Sequence, residues 1–295
     1  MKSKGSVSKK NYRKICAIVV IAEIFSCIAL PAMASTRSNE TTYTNTTVNT
    51  AGYYHNSSED EIADKYAEIY DKNVAIIGDS ISTYEGYIPE GYKYFYSKSN
   101  VDSVEKTWWG QLVNKTGVNV VSNCSWSGST VTGDSTSKTN AHAACSDRRI
   151  NDLALANEKI DIVICYIGIN DYRRNVPVGH WSAEDATPED STQVTNFSEG
   201  YALMVSKIKK SYPNAKVYVT TLMKCDDTNN KATYSLDGYN EAIRQAADKF
   251  DAEVVDLNQF MIEKNDYADY SLDRLHPNAS GHERMSTLFA ETLLN

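Results

Sequence analysis

The stretch that decides the fold is Val74-Ala75-Ile76-Ile77-Gly78-Asp79-Ser80-Ile81-Ser82. A short apolar run ends at a glycine, and small polar residues follow it. Such a run, bounded by a turn residue, is typical of a strand that is covered on both faces of a sheet. Open α/β sheets bind ligands beyond the carboxyl ends of their strands, so the segment after Gly78 is a candidate functional segment.

The same pattern recurs along the chain. Further apolar runs predict four more strands, at residues 118–121, 160–167, 216–222 and 253–257. Segments with helical spacing predict helices at residues 59–70, 108–115, 149–157, 197–210, 239–250 and 280–294. Strands that alternate with helices form crossover units around a parallel sheet. We therefore expect one α/β domain, residues 59–295, built around a five-stranded parallel sheet.

Residues 1–34 have the pattern of a secretory signal peptide. A lysine-rich and arginine-rich segment precedes an apolar run over residues 15–30, and Ala32-Met33-Ala34 is a small-x-small cleavage signal. A membrane anchor is the alternative, but the run is shorter than the roughly 20 residues that a spanning helix needs, and Glu23 interrupts it. Residues 35–58 are rich in Thr, Asn and Ser and predict a disordered linker. We therefore expect a secreted protein without stable membrane insertion after signal cleavage.

The remaining chain is strongly acidic. Removing residues 1–34 takes away six of the 30 basic and one of the 38 acidic residues, which leaves 24 minus 37, or −13. An acidic surface repels polyanions, which argues against nucleic acid or an anionic membrane as a partner.

Polar and glycine-containing segments follow the other predicted strands. NCSWSG at residues 123–128 follows the second strand, GIND at residues 168–171 follows the third, and DRLHP at residues 273–277 lies beyond the fifth. The carboxyl ends of parallel strands meet at one edge of a sheet, so the fold would gather these segments around GDSIS at residues 78–82.

These four segments, in this order, resemble the landmarks of the SGNH, or GDSL-type, serine hydrolases. The resemblance covers roughly residues 73–294 and rests on GDS, a loop glycine, GxND and DxxH. It implies a serine esterase with Ser80 as nucleophile, His276 as base and Asp273 as the residue that orients the base. It implies a flavodoxin-like three-layer α/β/α sandwich. It implies no metal and no organic cofactor. By the same resemblance, Asp79 and Asp171 support loop geometry through hydrogen bonds.

The residue types suit this chemistry. A serine hydroxyl needs a base to take its proton, and Asp273, three residues before His276, can accept from the second ring nitrogen. By resemblance, the oxyanion donors are the backbone N–H groups of Ser80 and Gly128 and the side-chain amide of Asn170. Each segment alone could instead be a turn or a helix cap. Their coincidence in one order favours the site.

Aromatic residues crowd residues 84–96. They either form a wall that stacks on a sugar ring or pack on one another within a long loop. We expect packing for most of them and substrate contact for Tyr84 and Tyr87. Trp126, close to the loop glycine, is a further candidate for substrate contact. Two other tryptophans are expected in the core, Trp108 and Trp109.

Four cysteines and three further histidines remain to be placed. Cys124 and Cys145 flank the loop that carries Gly128, and we predict that they are bridged in an oxidising compartment, although two free thiols are an open alternative. Cys165 lies in an apolar strand and is expected to be buried. No partner is evident for three histidines, which are interpreted as surface or packing residues: His142, His180 and His282. His55 falls in the linker.

The combined prediction is a secreted esterase that acts on an acyl ester, acetyl included, of a small molecule or an extracellular glycan. Two alternatives remain: a lipid-directed acylhydrolase, and a glycan-binding module without catalysis. A binding module has no need of Ser80, Asn170, Asp273 and His276 together, which favours the enzyme.

Overall fold

The computed structural model describes residues 57–133, 143–154, 157–182, 184–225, 233–260 and 267–294. The chain divides into two compact units, Met1–Asn56 and Ser57–Asn295, and all described residues belong to the second. The predicted signal peptide, nearly all of the predicted linker, His55 and His142 therefore lie outside the described residues.

Five parallel strands form one sheet in the order β2-β1-β3-β4-β5. They are β1 (Asn73–Gly78), β2 (Asn119–Asn123), β3 (Ile162–Tyr166), β4 (Lys216–Thr220) and β5 (Glu253–Val255). Every residue of β3, and every residue of β1 after Asn73, is buried. This burial on both faces explains why the two strands are continuous apolar runs, and the predicted five-stranded parallel sheet is confirmed.

Helices cover both faces of the sheet. They are α1 (Ser57–Lys65), α2 (Trp108–Thr116), α3 (Asp147–Asp152), α4 (Ile169–Arg173), α5 (Phe197–Ser211), α6 (Leu236–Lys249), α7 (Leu257–Phe260), α8 (Tyr267–Tyr270) and α9 (Ala279–Leu294). Helix α2 packs against α9, and α5 packs against α6 and α3. Right-handed crossovers place these two groups on opposite faces, so the predicted three layers are confirmed. Among the described residues, no helix is long and apolar enough to cross a bilayer.

Several predicted boundaries differ from the structure. The helix predicted over residues 59–70 ends at Lys65, and the one predicted over residues 149–157 ends at Asp152. Residues with left-handed backbone follow within six positions of each end, namely Asp71 (φ 59°) and Asn157 (φ 55°). Helices α4, α7 and α8 were not predicted, because elements of four or five residues carry too little periodicity to detect.

The strand order places a crevice beside β1. The chain passes from β1 to β2 on one side, then returns across β1 to β3, β4 and β5 on the other. Ligands of doubly wound sheets bind at this reversal, beyond the carboxyl ends of the strands. Gly78 at the end of β1 pairs with Tyr166 at the end of β3, so the segments after both strands begin side by side.

Candidate active site

The segment after β1 makes a tight turn that Gly78 permits. A Cβ atom on Gly78 would lie 2.6 Å from the Oγ of Ser125, so no side chain fits there. The chain then forms a 3₁₀ turn, Ser80–Ser82, and Asp79 caps it by accepting a hydrogen bond from a backbone N–H of the turn. Ser80 is the first residue of this turn and is 4% exposed.

Three buried side chains fix the turn from behind. The indole N–H of Trp108 donates to the Oγ of Ser82 at 3.1 Å. The carbonyl of Ser82 accepts from the indole N–H of Trp109 at 3.0 Å and from the amide of Asn123 at 2.8 Å. Both tryptophans are buried, so their predicted place in the core is confirmed. Their role in holding the turn was not predicted.

The histidine loop joins α8 to α9. Asp273 accepts two backbone N–H bonds through Oδ1, from Leu275 at 3.1 Å and from His276 at 2.7 Å. Ser271 and Pro277 form an antiparallel bridge across the base of the loop. The loop is therefore closed on itself, which fixes the direction in which the imidazole leaves the backbone.

Ser80, His276 and Asp273 are hydrogen-bonded in series. The Ser80 Oγ lies 2.9 Å from the His276 Nε2, and the His276 Nδ1 lies 2.7 Å from the Asp273 Oδ2. Burial raises the pKa of Asp273, but hydrogen bonds and charge attraction from His276 outweigh it and hold the pKa at about 2. An ionised carboxylate only accepts, so Nδ1 carries the hydrogen and Nε2 is left to accept from Ser80.

The three predicted oxyanion donors lie in segments that contact one another. Gly128 has φ 79°, a left-handed conformation that glycine adopts without strain. Within the described part of the chain, the backbone N–H groups of Ser80 and Gly128 have no acceptor. The Asn170 amide donates one hydrogen to the carbonyl of Ser129 at 3.0 Å and has a second to give. Their action on an oxyanion stays a prediction.

A buried arginine ties the glycine loop to β1. The guanidinium of Arg149, which is fully buried, donates to the carbonyl of Gly78 at 3.0 Å and to that of Cys124 at 2.8 Å. On the solvent side, Arg174 donates to the carbonyl of Gly128 at 2.8 Å. Neither arginine was predicted, because their partners are carbonyls that no sequence pattern reveals.

Two buried aspartates support the loops as expected. Asp171 accepts from the backbone N–H of Val131 at 2.8 Å, and from the N–H and hydroxyl of Thr132 at 3.3 and 3.0 Å. Asp79 caps the turn at Ser80. Burial raises the pKa of Asp79 to about 7 and that of Asp171 to about 6, against the opposing effect of their backbone hydrogen bonds. The predicted loop-supporting role is confirmed for both.

Aromatic rings surround the imidazole of His276. Phe95 lies face to face with it, with ring centroids 3.5 Å apart and ring planes 11° apart. Tyr96 meets the same imidazole edge-on at 6.3 Å, and its hydroxyl donates to the carbonyl of Pro277 at 2.9 Å. Both residues belong to the aromatic segment, but neither was predicted to contact the site.

The three predicted substrate-binding rings are packed within the protein. Tyr84 is 4% exposed and its hydroxyl donates to a backbone carbonyl. Tyr87 packs on Tyr84 and Trp109, and Trp126 is 8% exposed and packs on Tyr92 with centroids 4.0 Å apart. Substrate contact by these rings stays a prediction. The loop folds back on its own side chains, as the alternative interpretation held.

The predicted disulfide between Cys124 and Cys145 is wrong. Among the described residues all four cysteines are free and buried, Cys165 as expected. The Cys124 thiol donates to the carbonyl of Asp152 at 2.9 Å, whereas Cys145 lies near the charge of Lys207 on α5. The two thiols therefore lie in different surroundings. Burial raises the pKa of Cys124 to about 11 and that of Cys145 to about 12.

The other described histidines have no place in the site. His180 is exposed. His282 is fully buried, and its Nδ1 accepts the backbone N–H of Trp108 at 3.2 Å. Burial, with a smaller effect of His276, lowers the pKa of His282 to about 3, so the ring is neutral. The predictions of a surface or packing role hold for these two residues.

Fold and geometry together define a doubly wound α/β protein with a Ser-His-Asp series at the reversal of its sheet. The family model described as GDSL-like lipase/acylhydrolase matches residues 72–291, and the chain belongs to this family. The resemblance inferred from the motifs is thus confirmed.

Solved structures share the fold. A candidate GDSL-like lipase from Bacteroides ovatus is 22% identical with a TM-score of 0.58, and the match covers 75% of this chain and 97% of that one. One from Bacteroides uniformis is 23% identical with a TM-score of 0.57, covering 75% and 94%. A possible lipase from Chitinophaga pinensis is 16% identical with a TM-score of 0.51, covering 74% and 96%. The comparison with curated proteins found no match.

Proposed function

We propose that this protein is a secreted serine esterase that hydrolyses acyl esters through an acyl-enzyme at Ser80. One observation carries the proposal: the Ser80 hydroxyl lies 2.9 Å from a His276 ring whose other nitrogen lies 2.7 Å from the Asp273 carboxylate. Membership of the GDSL-like lipase/acylhydrolase family supports it.

Acylation begins at the Ser80 hydroxyl. As its oxygen bonds to the ester carbonyl carbon, its proton moves to the His276 Nε2. The ring becomes a cation, which the charged Asp273 stabilises at Nδ1. The tetrahedral intermediate collapses, His276 gives the proton to the leaving alcohol, and the acyl group stays on Ser80. Water then attacks the acyl-enzyme with His276 again as base, which releases the acid and restores the serine.

The negative charge that develops on the substrate oxygen needs donors. The Ser80 and Gly128 backbone N–H groups lack acceptors within the described residues, and Asn170 has an amide hydrogen to give. Donors fixed in place before the reaction stabilise such a charge without reorganisation. The hydrogen bonds of Arg149, Arg174 and Asp171 hold the loops that carry them.

The substrate in this proposal is an acyl ester, acetyl included, of a small molecule or an extracellular glycan. The signal-like residues 1–34 support export. The described surface has few exposed large apolar side chains, namely Tyr70, Tyr94, Leu272 and Leu294, and these offer little apolar area for a lipid surface. This favours an ester dissolved in water over one embedded in a lipid surface.

A panel of p-nitrophenyl esters of rising chain length tests the proposal. We expect hydrolysis of acetyl and other short esters, loss of nearly all activity in Ser80→Ala, and labelling of Ser80 alone by a serine-directed phosphonate. His276→Ala is expected to be as severe, and Asp273→Ala milder. A preference for long acyl chains would support the lipid-directed alternative. An inactive but folded wild type that binds glycans would support the non-catalytic module.

Export is tested separately. Mass spectrometry of the protein secreted by an expressing cell should find an N-terminus directly after Ala34. Retention of residues 1–34 in a membrane fraction would contradict export in favour of anchoring.

A further inference from the structure

Phe95 covers one face of the imidazole that takes the serine proton. The two rings are 11° from parallel with centroids 3.5 Å apart, which is full face-to-face contact. Direct face-to-face stacking of two neutral rings is not the preferred arrangement, because their negative faces meet. The geometry suits a pair in which one ring becomes positive, because an aromatic face attracts a cation.

Hydrogen bonds tie Phe95 to the nucleophile turn. Its backbone N–H donates to the Oγ1 of Thr83 at 2.9 Å, and that hydroxyl donates to the carbonyl of Ser80 at 2.8 Å. The carbonyl of Phe95 accepts from the side-chain amide of Asn100 at 3.0 Å. These hydrogen bonds attach the backbone of Phe95 to the turn that carries Ser80, while its phenyl ring contacts the imidazole of His276.

We propose that Phe95 is a positioning residue that sets the plane of the His276 ring relative to Ser80 and favours its protonated form. Asp273 contacts the imidazole at its edge, and Phe95 contacts it across its face. The inference rests on the proposed function, since the imidazolium forms when the Ser80 proton moves.

Three ionisable groups near His276 do not change charge near neutral pH, so they do not obscure a pH-dependent measurement. Asp273 stays ionised, with a pKa of about 2, and His282 stays neutral, with a pKa of about 3. Burial holds the pKa of Tyr96 well above its usual value. Burial raises the pKa of Asp79 to about 7, and every Phe95 variant retains this side chain, so the variants are compared with one another and with wild type.

Two substitutions separate this role from simple packing. Phe95→Leu keeps an apolar side chain and removes the aromatic face, whereas Phe95→Tyr keeps the face. For Phe95→Leu we expect kcat to fall about 5-fold with KM nearly unchanged, and the acid limb of the kcat profile to move about half a unit to lower pH. Phe95→Tyr should remain close to wild type in both. If Phe95→Leu folds poorly, Phe95→Met provides the same comparison.

A second measurement does not depend on turnover. Proton NMR of the His276 ring, assigned by its loss in His276→Asn, should show the same shift of the titration midpoint to lower pH in Phe95→Leu. The proposal would be overturned if kcat fell equally in Phe95→Leu and Phe95→Tyr. It would also be overturned if Phe95→Leu changed neither kcat nor the NMR midpoint. A shifted midpoint in a protein that hydrolyses no ester would instead sink the esterase function and leave the ring effect standing.

Discussion

Replacing His282 by asparagine is expected to make the folded protein more resistant to acid. The ring is fully buried and accepts the first backbone N–H of α2 through Nδ1. Because Nδ1 accepts, the neutral ring carries its hydrogen on Nε2, which has no hydrogen-bond partner among the described residues. A second proton would go to Nδ1, where it would break the bond from Trp108 and leave a buried charge without an acceptor. The asparagine amide oxygen can take over the bond to Trp108 without titrating.

The size of the effect follows from the pKa of His282, which burial lowers from 6.5 to about 3. The unfolded chain binds the proton near pH 6.5 and the folded chain only near pH 3, so protonation favours unfolding between these values. The stability is complete above pH 6.5 and is lost as the pH falls. At pH 4.5, two units below the unfolded value, the loss is about 2.7 kcal/mol.

Urea denaturation at pH 7.5 and pH 4.5 measures this loss as a difference between proteins. Wild type alone is not informative, because the raised pKa values of Asp79 and Asp171 stabilise the fold as the pH falls through about 7 and 6. Between pH 7.5 and pH 4.5, the difference in unfolding free energy between wild type and His282→Asn should change by about 2.7 kcal/mol in favour of the variant. Exposed His180→Asn is the matched control and should show no such movement. If wild type and His282→Asn differ in unfolding free energy by the same amount at both pH values, the reasoning is refuted.

Three further outcomes are expected. If Asn170 has the proposed oxyanion role, Asn170→Ala should lower kcat about 100- to 1,000-fold with KM nearly unchanged, since the donor would act on charge that forms only in the transition state. A lower melting temperature with normal turnover would instead mean that Asn170 only shapes the turn. Gly78→Ala should cost about 1–3 kcal/mol in urea denaturation, because its Cβ would lie 2.6 Å from the Ser125 Oγ. Gly238→Ala, whose new methyl would have no neighbour closer than 3.5 Å, is the control and should not destabilise the helix. The four buried thiols should react with Ellman's reagent only after unfolding, and a pair that reacts only after reduction would restore the disulfide.

The sheet could be predicted because a strand that is buried on both faces needs apolar residues at successive positions. Strands β1 and β3 are covered on both faces, so they read as unbroken apolar runs. Their ends were less predictable, because a strand stops where its hydrogen-bonded partner stops. Ile160 is apolar, but pairing in β3 begins at Ile162.

Site residues that lie in short sequence motifs could be predicted. Contacts between residues far apart in the sequence could not. Ser80 and His276 stand in short segments that can be recognised. The contact of Phe95 with His276 joins segments far apart in the chain, and no spacing encodes it. The disulfide failed for the same reason: the positions of Cys124 and Cys145 in the sequence do not show which way each thiol points.

The separation of Ser80 from His276 sets when activity can arise. The two residues are 196 positions apart, and His276 lies in a segment that is synthesised after the strands. All five strands of the sheet precede that segment. A ribosome-bound chain that stops before residue 271 therefore contains every strand but no base. Ester hydrolysis should begin only when α9 and the loop before it dock on the sheet, which makes turnover a reporter of that docking step.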